Sequence, residues 1–132
     1  MSVYEPQYYS SVFDEDGSKY VLARVTRKNA SHDMVAIASS DVTSITRTIY
    51  SVPSSTVVAA STTLTVANVV VTTSTGNIWT KDETGFNFID LVPAASFPKP
   101  EELVTIEYKF THVDGVVTYL RARGPVLPVE GS

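Results

Sequence analysis

Histidine and carboxylate side chains are the residues of this sequence that could do chemistry, and the two histidines are the first candidates. His32 and His112 lie 80 residues apart, and neither belongs to an HxH or HExxH motif. A zinc site would need at least one more good ligand at sensible spacing. The pattern predicts a loop histidine and a histidine at the end of a strand, and no metal site.

Acidic residues form two further candidate sites. Residues 14–17 (DEDG) are similar to the start of a calcium-binding loop but lack its alternating ligands and closing glutamate. Asp82, Glu83 and Asp90 could supply a carboxylate pair for acid–base catalysis. The first two lie in KDETG, which is typical of a polar turn, and Asp90 is suited to accept backbone hydrogen bonds at a corner. Nucleophile and phosphate-loop motifs are also missing, so we predict no catalytic residue, metal or cofactor.

Length, charge and cysteine content restrict the class of protein. The 132 residues suit one domain, and the absence of cysteine excludes disulfides and thiolate metal sites. The net charge is −4 and the ten Lys and Arg are scattered, so the basic footprint of a nucleic-acid-binding protein is missing. The N-terminus lacks the basic start and apolar core of a secretory signal, and no apolar stretch reaches the roughly 18 residues of a membrane span.

β-branched residues dominate the composition. The chain has 20 Val, 6 Ile and 16 Thr, against only 6 Leu. Such side chains are stiff and suit a pleated sheet. Short alternating segments recur with turn residues between them, which is typical of a sandwich or small barrel. We therefore expect an all-β domain over residues 19–127, an extended arm at residues 1–18 and a short tail at residues 128–132.

Strand positions follow from the alternating patterns and from the residues that interrupt them. Two segments stay ambiguous: residues 35–37 form a short strand or an inward-packing loop, and TVANVVV is either strand or one helical turn capped by Thr65. Phe97 is expected to plug the end of the core, and Trp79, Phe86 and Phe88 to help seal it. Strands are predicted at residues 19–30, 41–52, 56–60, 64–73, 78–79, 86–90, 104–110 and 116–123.

The last hairpin allows a prediction of register. VTIEYKF alternates strictly, and VDG turns the chain. A two-residue loop would drive Arg121 onto the apolar face, whereas a three-residue loop with Gly115 left-handed sets Arg121 against Glu107 on the outer face. We predict the three-residue loop, after which the two prolines of GPVLPV are expected to take the chain out of the sheet. This register pairs Phe110 with Thr118, Tyr108 with Leu120 and Ile106 with Ala122.

Residues 48–80 form a run of 33 residues without Asp, Glu, Lys, Arg or His. Its proline and its many Ser and Thr are unlike a membrane helix. Exposed strand edges are normally protected by charge, especially by lysine, and this run has none. It therefore lies at the centre of the sheets or is covered by a partner, and the candidate partner-contact residues are Val57, Val58, Val69 and Val71.

The first 18 residues differ from the rest of the chain. They show neither a period of 2 nor one of 3.6, and they place Tyr4, Tyr8, Tyr9 and Phe13 among polar residues. Aromatic side chains bury a large area when they pack, so we interpret the segment as an arm whose aromatics contact a partner. The alternative is a disordered tail.

Four segments together resemble the small immunoglobulin-like domains of tailed-phage virion proteins: SSDVTSITRTIYSV, TTLTVANVVVTT, GFNFIDLVPAASFP and TIEYKFTHVDGVVTYL. The resemblance covers about residues 19–127 and implies an immunoglobulin-like or jelly-roll-type antiparallel β-sandwich. It further implies a virion structural protein assembled in the host cytoplasm. Within the virion, a head decoration (cement) protein that contacts the major capsid protein and copies of itself is the leading expectation.

Two other roles remain open at this point. The first is a neck or tail accessory protein of the same particle. The second is a carbohydrate- or host-surface-binding module, in which Tyr8, Tyr9, Trp79 and Phe88 would form a stacking platform. Packing in a core or an interface is our preferred interpretation of these scattered aromatics, and fold alone does not decide among the three roles. No enzymatic activity, nucleic-acid binding or membrane insertion is expected.

Overall fold

A computed structural model describes residues 7–10, 13–14, 17–28, 31, 33–51, 56–74, 85–97 and 100–128. Most of these residues are in strands, as the β-branched composition predicts, with one short helix and two 3-10 turns, at Ser39–Asp41 and Ala94–Ser96. The elements in chain order are β1 (Gln7–Ser10), β2 (Phe13–Asp14), β3 (Lys19–Ala23), β4 (Thr26–Lys28), β5 (Met34–Ala36), β6 (Val42–Ser51), β7 (Thr56–Leu64), α1 (Val66–Val69), β8 (Val70–Ser74), β9 (Phe86–Val92), β10 (Glu101–His112) and β11 (Val117–Leu127).

The described strands form one large sheet, one small sheet and a separate hairpin. The large sheet has the order β1-β11-β10-β6-β7, and β2 also pairs with β11. Its pairings are antiparallel except those of β1 and β2, which run parallel to β11. The small sheet has the order β3-β9-β8, and β4 pairs with β5. The all-β fold class is confirmed.

The core lies between the large and the small sheet. Strict alternation sends one side of β6, β10 and β11 inward, where side chains such as Ile106 and Leu120 are fully buried. The rings of Phe88 and Tyr108 meet edge to face at 4.8 Å, and Phe88 lies 5.6 Å from Phe110. These contacts join β9 of the small sheet to β10 of the large one. Phe97 is also fully buried in this cluster, as the sequence predicts.

The β10–β11 hairpin has the predicted register. Gly115 has a φ of 88°, and its amide donates to the carbonyl of His112 at 2.9 Å to close the three-residue loop. Glu107 and Arg121 are opposite one another, with 2.8 Å between Glu107 Oε2 and Arg121 Nε. The remaining predicted pairs are all observed: Phe110 with Thr118, Tyr108 with Leu120 and Ile106 with Ala122.

The prediction that GPVLPV leaves the sheet is wrong. β11 continues to Leu127, so Pro125 lies inside a strand. The register shifts opposite it, because Val104 pairs with Gly124 whereas Glu101 pairs with Val126. One extra residue of β10 therefore forms a bulge facing Pro125, and a proline, which has no amide to donate, is tolerated at such a bulge.

The strand predicted at residues 19–30 is divided into β3 and β4. The Asn87 side chain, which is fully buried on β9, binds the chain at this point. Its Oδ1 accepts a hydrogen bond from the Val25 amide at 2.7 Å, and its Nδ2 donates to the carbonyls of Val25 at 2.8 Å and Ile37 at 3.1 Å. Residues 34–36 are strand β5, which resolves the first ambiguous segment.

The second ambiguous segment contains both structures. Residues 66–69 form the helical turn α1, with Thr65 at its N-cap, and β8 begins at Val70. The Thr65 side chain makes no capping hydrogen bond, so the turn is held by packing of Val69, which is 6% exposed in the core. The predicted strand at residues 78–79 lies outside the described residues.

The hairpin loop generates the first prediction, because Gly115 has a φ that L-residues rarely adopt. An added Cβ at this position meets no heavy atom within 4 Å, so a substitution is opposed by backbone conformation and not by a clash. Gly115→Ala is expected to lower the free energy of unfolding by about 1–2 kcal/mol, measured by urea denaturation. Gly115→Asn should lower it less, because asparagine tolerates the left-handed region. An alanine variant as stable as the parent would contradict the loop conformation.

Candidate functional site

A buried charged cluster joins the two sheets. Arg47 of β6 and Tyr108 of β10 are cross-strand neighbours on the inner face of the large sheet, and Asp90 projects from β9 opposite them. Asp90 Oδ2 accepts hydrogen bonds from Arg47 Nη1 at 2.6 Å and from the Tyr108 hydroxyl at 2.8 Å. All three residues are buried. Burial, followed by the negative charge of Asp90, raises the pKa of Tyr108 well above its ordinary value.

This geometry assigns Asp90 a structural role within the described residues. Its carboxylate binds two side chains of the opposite layer instead of the backbone of a corner, which was the expectation from sequence. Asp82 and Glu83, the other members of the carboxylate group, lie outside the described residues. Both hydrogen bonds go to the same oxygen, Oδ2, of a carboxylate that is buried between the sheets. The cluster therefore acts as a clamp between the sheets.

A second polar network lies on the outer face of the large sheet. Glu107 Oε2 accepts hydrogen bonds from the Tyr50 hydroxyl at 2.5 Å and from Arg121 Nε at 2.8 Å. The Arg121 guanidinium also lies 4.8 Å from the centre of the Tyr119 ring. Partial burial, followed by the hydrogen bond to Glu107, raises the pKa of Tyr50. These groups bind one another across three adjacent strands, which stiffens this face of the sheet.

His112 is a strand-end histidine, as predicted, and it is 1% exposed. Its Nε2 lies 2.9 Å from Thr118 Oγ1, and its ring stacks on Phe110. Burial lowers the pKa of His112, and the nearby carboxylates of Asp114 and Asp41 offset part of that effect. His32, the other candidate, lies outside the described residues. In the described part of the chain, no three His, Asp or Glu side chains are close enough to hold a metal ion.

The candidate arm residues lie at one edge of the large sheet. Tyr8 is in register with Arg121 and Tyr9 with Ala122, while Phe13 is in register with Val126. Residues 7–10 and 13–14 therefore extend the sheet of their own chain as parallel strands. Tyr4 lies outside the described residues.

The candidate contact residues of the uncharged run have different environments. Val57 is 56% exposed on β7, and Val71 is half-buried on β8. Val69 is a core residue at 6% exposure, so its side chain is already occupied inside the chain. Val58 lies on β7 next to Val57. Of Val57, Val69 and Val71, Val57 is the one that is exposed to an outside molecule.

Strand β7 forms the edge of the large sheet opposite to β1. Within the described residues it pairs with β6 on one side and with no strand on the other. Residues 60–63 (ASTT) are all exposed, and Leu64, the last residue of the strand, packs partly against the core. The Ser61 hydroxyl binds that of Thr48 on β6 at 2.6 Å. An edge of uncharged small side chains with an available main chain is suited to bind another strand.

An open groove of about 590 Å³ lies next to the small sheet. Residues 36–39 line one side of it, and Ala67 with residues 70–73 line the other. Every lining residue among those described is uncharged. Ala67 and residues 70–73 belong to the uncharged run of residues 48–80.

Comparison with known proteins yields no relative: no family model, no curated protein and no solved structure matches the chain. The described helix α1 is far too short to cross a membrane.

Sequence reasoning missed the partnership of Arg47, Asp90 and Tyr108. A signal for it was present, because Arg47 occupies the same phase of β6 as the core residues Ile45 and Ile49. A charged residue in the apolar phase of a strand indicates a buried partner. Which carboxylate supplies it could not be read from the pattern, since Asp90 lies 43 residues away in another sheet. Phe88 does not contribute to a surface stacking platform, because its side chain is buried in the core and only 1% exposed.

Because Arg47 and Asp90 are buried partners in the clamp between the sheets, substitutions of the two residues are expected to have strongly coupled effects on stability. Arg47→Met or Asp90→Leu alone leaves a buried charge without its partner, so each is expected to lower the free energy of unfolding by about 3–5 kcal/mol. The double variant should lose much less than the sum, because no buried charge remains. Chemical denaturation of the four proteins measures this coupling. Tyr108→Phe is a milder control, which should lower the free energy of unfolding by about 1 kcal/mol because it removes one hydrogen bond. If the effects of Arg47→Met and Asp90→Leu simply add in the double variant, the clamp is contradicted.

His112 predicts a pH dependence of stability. Its pKa in the folded protein is lowered, so the unfolded chain binds a proton more readily. Its contribution to the free energy of unfolding is therefore complete above the unfolded pKa of about 6.5 and falls as the pH drops toward the folded pKa. His112→Gln should remove this part of the slope as the pH falls below about 6.5. Parallel curves for the parent and the variant would show that His112 is not the group responsible.

Proposed function

We propose that this protein is a structural protein that acts by contact, and that it joins a larger assembly through the β7 edge of its large sheet. The observation that carries the proposal is the difference between the two edges of that sheet. At one edge, β1 and β2 lie along β11. At the other, β7 carries exposed, uncharged residues and pairs only with β6 among the described strands.

The physical argument starts from the behaviour of strand edges. An edge exposes a row of amide and carbonyl groups, and proteins usually protect it with lysine or proline or with a covering segment. Here the N-terminal strands cover the β11 edge, whereas the β7 edge lies in the run without charged residues. A partner strand at β7 would gain main-chain hydrogen bonds at little desolvation cost to side chains. Val57, which is exposed on the same strand, adds apolar contact area.

The assembly that we propose is a virion, and the protein is its head decoration (cement) component. The sequence resemblance over residues 19–127 supports this finer assignment. It implies contacts with the major capsid protein and with copies of the protein itself. A neck or tail accessory protein would use the same edge and is the alternative within the particle.

The proposal predicts that particles of the virus encoding this protein contain it and bind it through β7. Particles assembled without it should take up added purified protein and then release their DNA at a higher temperature. Thr63→Lys places a charge in the exposed β7 edge and should abolish uptake. Uptake is measured by sedimentation followed by mass spectrometry, and DNA release by dye fluorescence during heating.

Val117→Lys is the matched control for that experiment. Val117 is an exposed β-branched residue on β11, which β10 and β6 separate from β7 in the large sheet. This variant should be taken up like the parent protein. Complete particles that lack the protein, or particles that take up both lysine variants equally, would overturn the proposed role of the edge.

A further inference from the structure

We infer that the partner at the β7 edge is a second copy of this protein, whose own β7 pairs antiparallel to the first across a two-fold axis. The inference rests on the proposed function, because it names the occupant of the same contact edge. The two large sheets would then form one continuous sheet through the β7–β7 pairing. In such a dimer both copies use the same surface patch for the contact, as in any two-fold interface.

The part of β7 that is regular enough for this pairing is short. Thr62, Thr63 and Leu64 pair in simple succession with Arg47, Thr46 and Ile45 of β6. The register then shifts twice, between Arg47 and Ile49 and between Ile49 and Tyr50, and both shifts insert extra residues into β7. Bulges bend a strand and disrupt its ladder. The pairing segment is therefore residues 62–64, which end just before helix α1.

Exposure shows that this segment has room for a partner on both faces. Residues 60–63 are all exposed, so side chains on both faces of β7 are accessible here. In β6 and β11, by contrast, about every second residue is buried. Among the described elements, neither the small sheet nor α1 therefore covers residues 60–63. An incoming strand meets small side chains, Ala60, Ser61, Thr62 and Thr63, on both sides of the sheet. Small residues permit close approach of two backbones without a change of rotamer in any large side chain.

Charge favours a second copy over a charged partner segment. The protein has a net charge of −4, so two copies repel each other when their acidic surfaces meet. The β7 edge belongs to the 33-residue run that contributes none of this charge. Pairing β7 with β7 therefore juxtaposes no like charges, which destabilise cross-strand pairs. Threonine opposite threonine or serine is itself a favourable cross-strand pair.

The absence of cysteine makes a direct test possible. Single cysteines at Ser61, Thr62 or Thr63 can cross-link only to another copy, because the chain has no other thiol. In antiparallel self-pairing, the residue at the two-fold axis faces its own copy at a Cα separation of about 4.5–5.5 Å, which is within the range of a disulfide. We expect at least one of the three variants to form a disulfide dimer under mild oxidation, at more than tenfold the rate of Val117→Cys.

Sedimentation equilibrium of the parent protein and of Thr63→Lys and Val117→Lys provides the second measurement. The parent and Val117→Lys should form dimers with the same dissociation constant, and Thr63→Lys should raise it at least tenfold. Circular dichroism and thermal unfolding establish that the lysine variants are folded. A parent protein that is monomeric over the whole concentration range, or edge cysteines that cross-link no faster than Val117→Cys, would overturn the inference.

The outcomes separate this inference from the proposed function. A monomeric protein whose uptake by particles is still blocked by Thr63→Lys overturns the two-fold dimer and leaves the contact role of the edge in place. The opposite result is also possible to recognise. If the protein dimerises and Thr63→Lys dissociates the dimer, but complete particles lack the protein, the two-fold dimer is supported and the virion role is overturned.

Discussion

The arrangement of the two sheets depends on the hydrogen bonds that the Asp90 carboxylate accepts from Arg47 and Tyr108. The carboxylate lies among apolar side chains such as Phe88, where an unpaired charge would be costly. Arg47 and Tyr108 meet it from two adjacent strands of the large sheet. A shift of β9 by one residue would turn Asp90 to solvent and leave the Arg47 charge buried without a partner. One bond network therefore couples the registers of β6, β9 and β10.

The edges of the large sheet follow from this central arrangement. β6 and β10 are fixed at the middle by the clamp, and the β10–β11 hairpin is fixed by its loop and by the Glu107–Arg121 pair. β11 is then left with an open side, which β1 and β2 occupy as parallel strands. Among the described strands, β7 is left with the other open side. Residues 7–10 and 13–14 of the predicted arm thus cover one of the two edges of the large sheet of their own chain.

The described polar residues are used mainly to hold the chain together. Asp90 and Glu107 bind side chains of other strands, Asn87 binds the backbone of Val25 and Ile37, and His112 stacks within the core. Hydrogen bonds of this kind hold the two sheets together and fix the registers of their strands. Among the described residues, the uncharged β7 edge is the feature that can bind an outside partner. Contact with another strand is the chemistry suited to such an edge, because its exposed groups are main-chain donors and acceptors. This reasoning connects the composition of residues 48–80 to assembly.

Short-range patterns were sufficient for several parts of the fold. The β-branched composition determined the all-β class, and strict alternation with an Asp-Gly turn determined the β10–β11 register. In that hairpin the two candidate loops differ in the face on which Arg121 lies, and only one of them pairs it with Glu107. Local chemistry decides such cases because the competing structures differ within a few residues. The same local reasoning failed at Pro125, where the compensating bulge lies on the partner strand.

The sequence by itself therefore determined the strand class, the last hairpin and the uncharged character of one segment. Only the tertiary structure decided that Arg47 and Tyr108 meet Asp90, that Asn87 divides the first predicted strand, and that β7 is an edge. Alternation with a period of two states which side of a strand faces the core, but it does not state which strand is the neighbour. Neighbours are selected by packing and charge pairing between residues far apart in the chain, and these energies exist only once both layers are in place.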